Sequence, residues 1–159
     1  MGLVAAGALV LGIIYHPLKA ELYSAREGGG AFLNGQPMRV SGEIELTHAR
    51  ICVGFSYRRP VAEHVRAIDA VLGAGCEYLR LGSGALGPAY TAAGRVDAYW
   101  ERHMNSWDAA AGLLLVREAG GSTNDFLAGD GLAVGGEVLA ATPALFDPLK
   151  KLVAFGPPR

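Results

Sequence analysis

Two carboxylates and a small-residue turn are the parts of this sequence whose types and spacing could do chemistry. Glu101 closes the strand-like stretch "RVDAYWE", and Asp108 follows in "SWDAAAGLLLVREAGG". Ser106 reads as a helix N-cap. Asp108 falls in the first turn, where a carboxylate meets free backbone N–H groups and the positive end of the helix dipole. Capping alone would account for it. Yet a strand ending at Glu101 and a helix starting near Asp108 converge on one crevice, the place where α/β sheets bind ligands. Two carboxylates there suit a hard divalent cation or a polyhydroxylated ligand. A third stretch, "RLGSGALGPAYTAAG", sets Gly82-Ser83-Gly84 between a strand and a helix. Free N–H groups at that helix start could hold a phosphate, or the turn is a plain connection.

The other polar residues read as structure. His16, His48, His64 and His103 lack metal-type spacing and are expected at the surface or in second-layer packing. "YRRP", residues 57–60, could face an anionic substrate, although a solvated turn fits it better. Cys52 and Cys76 sit in apolar strand-like surroundings and read as buried free thiols.

The elements that must position these residues alternate in type. Residues 1–49 read as short strands, at 9–15 and 21–26, with Asn34-Gly35 as a hairpin turn. From Ile51 onward strands and helices alternate. Strands are expected at 51–55, 76–81, 96–100, 122–126 and 138–141, and helices at 60–73, 84–93, 107–119 and 143–154. The helix at 107–119 is apolar on nearly all sides, which predicts burial between two layers, and Gly120-Gly121 stops it. The pattern is a layered α/β architecture. The expected division falls at residues 41–50, giving a β-hairpin unit at 1–49 and an α/β domain at 50–159.

Composition excludes several classes. The chain has 159 residues, 51% apolar and 18% charged, which excludes disorder. The net charge of −1 and the lack of a basic tract argue against a phosphate-neutralising nucleic-acid surface. The opening "MGLVAAGALVLGIIY" has no Lys or Arg before Lys19 and is too short and glycine-broken to span a membrane, so a buried hairpin fits it better than a signal peptide.

Taken together, "WDAAAGLLLVREAGG" resembles the W-D-x-A-A-G…E-A-G-G signature of the inositol monophosphatase family of Mg²⁺-dependent, lithium-sensitive phosphatases. "VLGIIYHPLKAELYSAREGGGAFLNGQPMRVS" and "LGSGALGPAYTAAGRVDAYWE" extend the resemblance over nearly the whole chain. It implies a layered α/β sandwich of the sugar-phosphatase type. It also implies Asp108 as a ligand of Mg²⁺, Glu101 as acceptor from a substrate hydroxyl, and Gly82, Ser83 and Gly84 beside the substrate. Trp107 is expected to be structural and Glu118 to cap or pair locally. The family also uses a Glu-Glu pair and an Asp-Pro-Ile/Leu-Asp-Gly-Thr motif, which supply most metal ligands. Neither is in this sequence, and both belong upstream of Met1 in the family's order, so the first domain is expected to be incomplete. The resulting expectation is a cytoplasmic phosphatase acting on a small phosphorylated polyol such as inositol monophosphate, in a form inactive alone. The alternative is a non-enzymatic module that keeps the fold. A homodimer is expected, with no membrane or nucleic-acid partner.

Overall fold

The hairpins at the amino end form one antiparallel sheet, ordered β1-β2-β3-β4-β5, in this computed structural model, which describes residues 1–154. Its strands are β1 (Gly2–Ala5), β2 (Ala8–His16), β3 (Glu21–Arg26), β4 (Gly30–Leu33) and β5 (Gln36–Pro37). Asn34 and Gly35 both take positive φ, 50° and 78°, as the turn between β4 and β5 demands.

The rest of the chain alternates as expected. It runs β6 (Arg50–Val53), α1 (Val61–Gly73), β7 (Glu77–Leu79), α2 (Leu86–Ala92), β8 (Ala98–Met104), α3 (Ser106–Glu118), β9 (Ser122–Thr123), α4 (Gly131–Val134), β10 (Gly136–Ala141) and α5 (Pro143–Leu152). The second sheet has the order β7-β6-β8-β10-β9. β6 lies parallel to β7 and β8, while β10 is antiparallel to β8 and β9. Strand periodicity divides its side chains between two cores. Cys52, Tyr99, Val138 and Ala140 join α2, α3 and the first sheet. Ile51, Val53, Ala98, Trp100, Leu139 and Ala141 pack with α1 and α5 on the opposite face. The layers are therefore sheet, helices, sheet, helices, an α/β sandwich.

Helix α3 is the middle of this stack, and Ala109 to Val116 are all buried. It approaches the first sheet so closely that a Cβ on Gly12 would lie 2.7 Å from the Ala111 carbonyl oxygen, and one on Gly2 2.9 Å from Ala110 Cβ. Two polar ties hold the same layers. Glu118, at the end of α3, accepts N–H bonds from Gly28 (2.9 Å) and Gly30 (2.8 Å), so it caps a distant turn rather than pairing locally. Arg95, ahead of β8, donates to both Glu21 oxygens at 2.7 and 2.8 Å, and Tyr23 donates to Glu21 at 2.6 Å. The outer face of the first sheet shows Leu3, Tyr15 and Leu22 to solvent. Among the described residues, no helix is long and apolar enough to cross a membrane.

Several boundaries differ from those expected of the sequence. The N-cap of α3 is Asn105, without a side-chain cap bond, and Ser106 is already helical. Strand β8 does not stop at Glu101 but continues to Met104. β7 is shorter than expected, and Cys76 precedes it, after a left-handed Gly75 (φ 82°). Trp107 is 73% exposed, so in this chain it supports no core.

Gly12→Val should lower unfolding stability by about 1–3 kcal/mol, because the added carbons meet helix backbone that cannot move aside. Urea melts would check this, and an unchanged midpoint would refute the close approach. Glu21 supplies a pH signature. Hydrogen bonds from Arg95, then Tyr23, hold its carboxyl at about 2, below an ordinary 4.5. That stabilisation is present above pH 4.5 and lost as pH falls through about 2. Glu21→Gln should therefore melt below the wild type at pH 7, with the gap closing between pH 4.5 and 2. A gap independent of pH would contradict the ion pair.

Candidate functional site

The carboxyl ends of β6 and β8 send the chain to opposite faces of the second sheet, β6 towards α1 and β8 directly into α3. A crevice opens between such diverging connections. It is a cleft of about 270 Å³, lined among others by Gly54, Tyr57, Arg58, Arg80, Tyr99, Glu101, His103 and Asp108. All five residues singled out by sequence, Gly82, Ser83, Gly84, Glu101 and Asp108, line it.

Glu101 is buried at the back wall, 8% exposed. Burial raises its pKa and the Asp108 charge raises it further, while the Tyr99 hydrogen bond and the charge of Arg80 oppose the rise. Tyr99 Oη donates to Glu101 Oε2. Burial first, then the neighbouring Glu101 charge, pushes the Tyr99 pKa far up, so the phenol keeps its proton and remains the donor. One Glu101 oxygen is thus committed to the protein and the other is left for the cleft. The arrangement needs two missing side chains. A Cβ on Gly54 would overlap the Glu101 carboxylate and the Tyr99 hydroxyl, and one on Gly87 would overlap the Tyr99 ring.

Asp108 stands in the first turn of α3, and Gly84 lies against it, where a Cβ would sit 3.6 Å from Asp108 Cβ. Ser83 has a local partner as well: its hydroxyl accepts the N–H of Leu86 at 3.3 Å. Helix α2 has seven residues, and this bond occupies one of its first N–H groups. The Gly82-Ser83-Gly84 turn forms a wall of the cleft, and one N–H at the start of α2 is taken by Ser83.

Sequence reasoning missed Tyr99, Arg80 and His103. Tyr99 was legible in principle, since alternation in a strand puts residues 99 and 101 on one face. His103 was legible only if the strand runs past Glu101, and its neighbour Met104 was not legible at all. Gly136 pairs with Met104 but Val138 pairs with Glu101, so β8 carries an extra residue, a bulge that brings Met104 into the cleft beside His103. Burial, then the charges of Arg58 and Arg59, lowers the His103 pKa. Cys52 also lines the cleft, but burial raises its pKa and keeps it a thiol.

Magnesium needs near-octahedral oxygen ligands. Among the described residues no three His, Cys, Asp or Glu side chains group as a metal ion would require. Asp108 offers one carboxylate, and Glu101 is half engaged by Tyr99. The side chains present do not by themselves fit a magnesium centre.

Comparison with known proteins agrees with this geometry. The family model described as "Inositol monophosphatase family" matches residues 1–157. The chain is 40% identical over 149 residues to an inositol-1-monophosphatase of Mesorhizobium japonicum, covering 92% of this chain and 56% of that protein. It is 36% identical to the Nus factor SuhB of Escherichia coli K12, covering 86% and 52%. Among solved structures, an inositol monophosphatase from Anabaena superposes with a TM-score of 0.87 at 34% identity, covering 99% of this chain and 63% of that one. The chain thus spans about half the length of the curated relatives it matches. By signature, fold and the match over residues 1–157, the chain belongs to the inositol monophosphatase family.

Proposed function

We propose that this chain carries the substrate-binding side of a Mg²⁺-dependent phosphatase that hydrolyses a small phosphorylated polyol such as inositol monophosphate. The observation that carries this is the convergence of Glu101 and Asp108 on one cleft, within a chain matched by the family model over residues 1–157. The free oxygen of Glu101 accepts a hydrogen bond from a polyol hydroxyl. Gly82, Ser83 and Gly84 shape the wall the polyol lies against. Asp108 would contribute one metal ligand, and a magnesium centre would need further oxygen ligands besides it. Held with further ligands, a magnesium ion would lower the pKa of a water and neutralise charge on the phosphate. In the same reading the division near residue 49 separates a part of the metal-binding domain from the α/β domain. The protein works in the cytoplasm as a homodimer, without membrane or nucleic-acid partners. The absence of a three-ligand metal group among the described residues favours a second reading, a module that keeps the fold without the chemistry.

The 159-residue chain alone should show no Mg²⁺-dependent hydrolysis of inositol monophosphate above background. Turnover that EDTA abolishes would overturn this. Joined to a segment carrying the Glu-Glu and Asp-Pro-Ile/Leu-Asp-Gly-Thr motifs, the chain should gain Mg²⁺-dependent turnover, and continued inactivity would favour the second reading. In the joined protein, Asp108→Asn should lower turnover on the order of 100-fold, as when another preorganised electrostatic group is removed. Its melting should move little, since a first-turn charge contributes only about 0.3–1 kcal/mol. Full activity in Asp108→Asn would reduce Asp108 to a helix-end charge.

A further inference from the structure

Glu101 has a donor on one oxygen only. Tyr99 Oη donates to Oε2. Oε1 accepts no hydrogen bond among the described residues, yet it is not one of the buried polar atoms left without a partner, so it opens on the cleft. A free carboxylate exchanges its two oxygens by turning about its terminal bond, a torsion with only a broad two-fold preference. What a ligand meets at this wall therefore depends on what keeps Glu101 from turning.

The ring that carries the hydroxyl is 1% exposed and stands in a slot that α2 leaves open. A Cβ on Gly87 would overlap this ring. Helix α2 cannot widen the slot by drawing back, because the next residue, Pro88, already meets α3 at Gly112. Gly54 closes the hydrogen bond from the side of β6. Its N–H donates to the Trp100 carbonyl at 2.8 Å, and a Cβ there would overlap both the Tyr99 hydroxyl and the Glu101 carboxylate. A ring kept for packing alone needs no hydroxyl in such a slot, since burying one without a partner costs free energy.

We propose that Tyr99 is a positioning residue of the cleft: through its hydroxyl, the packing of α2 on β8 holds the Glu101 carboxylate in one orientation, and a ligand at this wall meets Oε1 alone. Gly87 does not line the cleft, so the orientation of a cleft carboxylate is set from outside it. The inference rests on the phosphatase reading for the polyol hydroxyl that Oε1 receives. The holding itself involves no metal ion, ligand or turnover.

The test is therefore made by NMR on the metal-free 159-residue chain with ¹³C-labelled glutamate. In the wild type, the two γ protons of Glu101 should give separate resonances. The Tyr99 hydroxyl proton should exchange slowly and show cross-peaks to Glu101. Tyr99→Phe keeps the ring in its slot and removes only the hydroxyl. The Glu101 γ protons should then draw together, and its carboxyl should titrate about one pH unit higher, the loss expected of a charged hydrogen bond. The sign follows because the Tyr99 bond opposes the rise imposed by burial and by the Asp108 charge. The other groups whose charges act on this pair are Asp108 of α3, Arg80 after β7 and Cys52 of β6, and they are the same in both proteins. Unchanged γ protons and an unchanged titration in folded Tyr99→Phe would overturn the proposal and leave Tyr99 a packing residue. Absence of the slowly exchanging hydroxyl proton, or of its cross-peaks, in the wild type would also overturn it, and that measurement needs no variant to fold. Failure of the joined protein to hydrolyse inositol monophosphate would sink the phosphatase reading and leave all of these results in place.

Discussion

Helix α3 is apolar on every side because both of its sides are covered, and that double burial sets the spacing of everything around it. The residues from Ala109 to Val116 are small or aliphatic, so backbone of the first sheet can approach until Gly12 meets Ala111. Gly112 repeats the device on another side, where a Cβ would come within 2.6 Å of Pro88 in α2. Close packing of this kind leaves α3 little freedom to slide. Its first turn carries Asp108, and β8 enters it through the single residue Asn105. The position of Asp108 relative to Glu101 is thus a consequence of core packing rather than of a flexible loop. The capped turn at Glu118 and the Arg95–Glu21 pair then fix the far end of the helix and the flank of the first sheet.

A fixed helix makes the electrostatics of the cleft unfavourable for its carboxylates. Glu101 is buried next to the charge of Asp108, and both effects resist its ionisation. Burying an uncompensated carboxylate costs several kcal/mol, so the pair persists through what surrounds it. Tyr99 supplies a hydrogen bond from a hydroxyl that does not ionise, and Arg80 supplies a more distant positive charge. Neither neutralises Glu101 by direct ion pairing. A carboxylate left in that condition retains an unmet demand for hydrogen-bond donors.

How much of this is legible in the sequence follows from the range of each interaction. Alternating and all-round apolar patterns are local, and they encode the strands, the buried helix at 107–119 and the layered fold. The Asn34-Gly35 turn is a dipeptide property and is legible directly. Glu118 reads as a local partner because nothing nearby in sequence points to Gly28 and Gly30. Trp107 reads as structural from its motif, yet its surroundings here are solvent. The local pattern ends β8 at Glu101 because the following Arg102 and His103 resemble loop residues. Tertiary partners make the extension stable: Arg102 reaches Glu63 in α1 and Glu137 in β10. In the cleft, the residue types that carry chemistry are visible, while Arg80 depends on strand order, which no local pattern encodes.

Strand β8 finally explains why core and cleft cannot be separated in this protein. Up to Glu101 it alternates regularly, with Ala98 and Trp100 in the outer core and Tyr99 facing inward. Continued alternation would carry Met104 to the outer face, away from the cleft. The bulge adds one residue beyond Glu101, so Arg102 keeps its ion pairs on one side while His103 and Met104 both reach the cleft. Met104 then closes on Gly84, where a Cβ would lie 3.1 Å from its Cε. One irregularity thereby joins the carboxylate wall to the Gly82-Ser83-Gly84 wall. The glycines at 54, 84 and 87 are small for the same reason: the space their side chains would take is already filled by Glu101, Met104 and Tyr99 of this one strand.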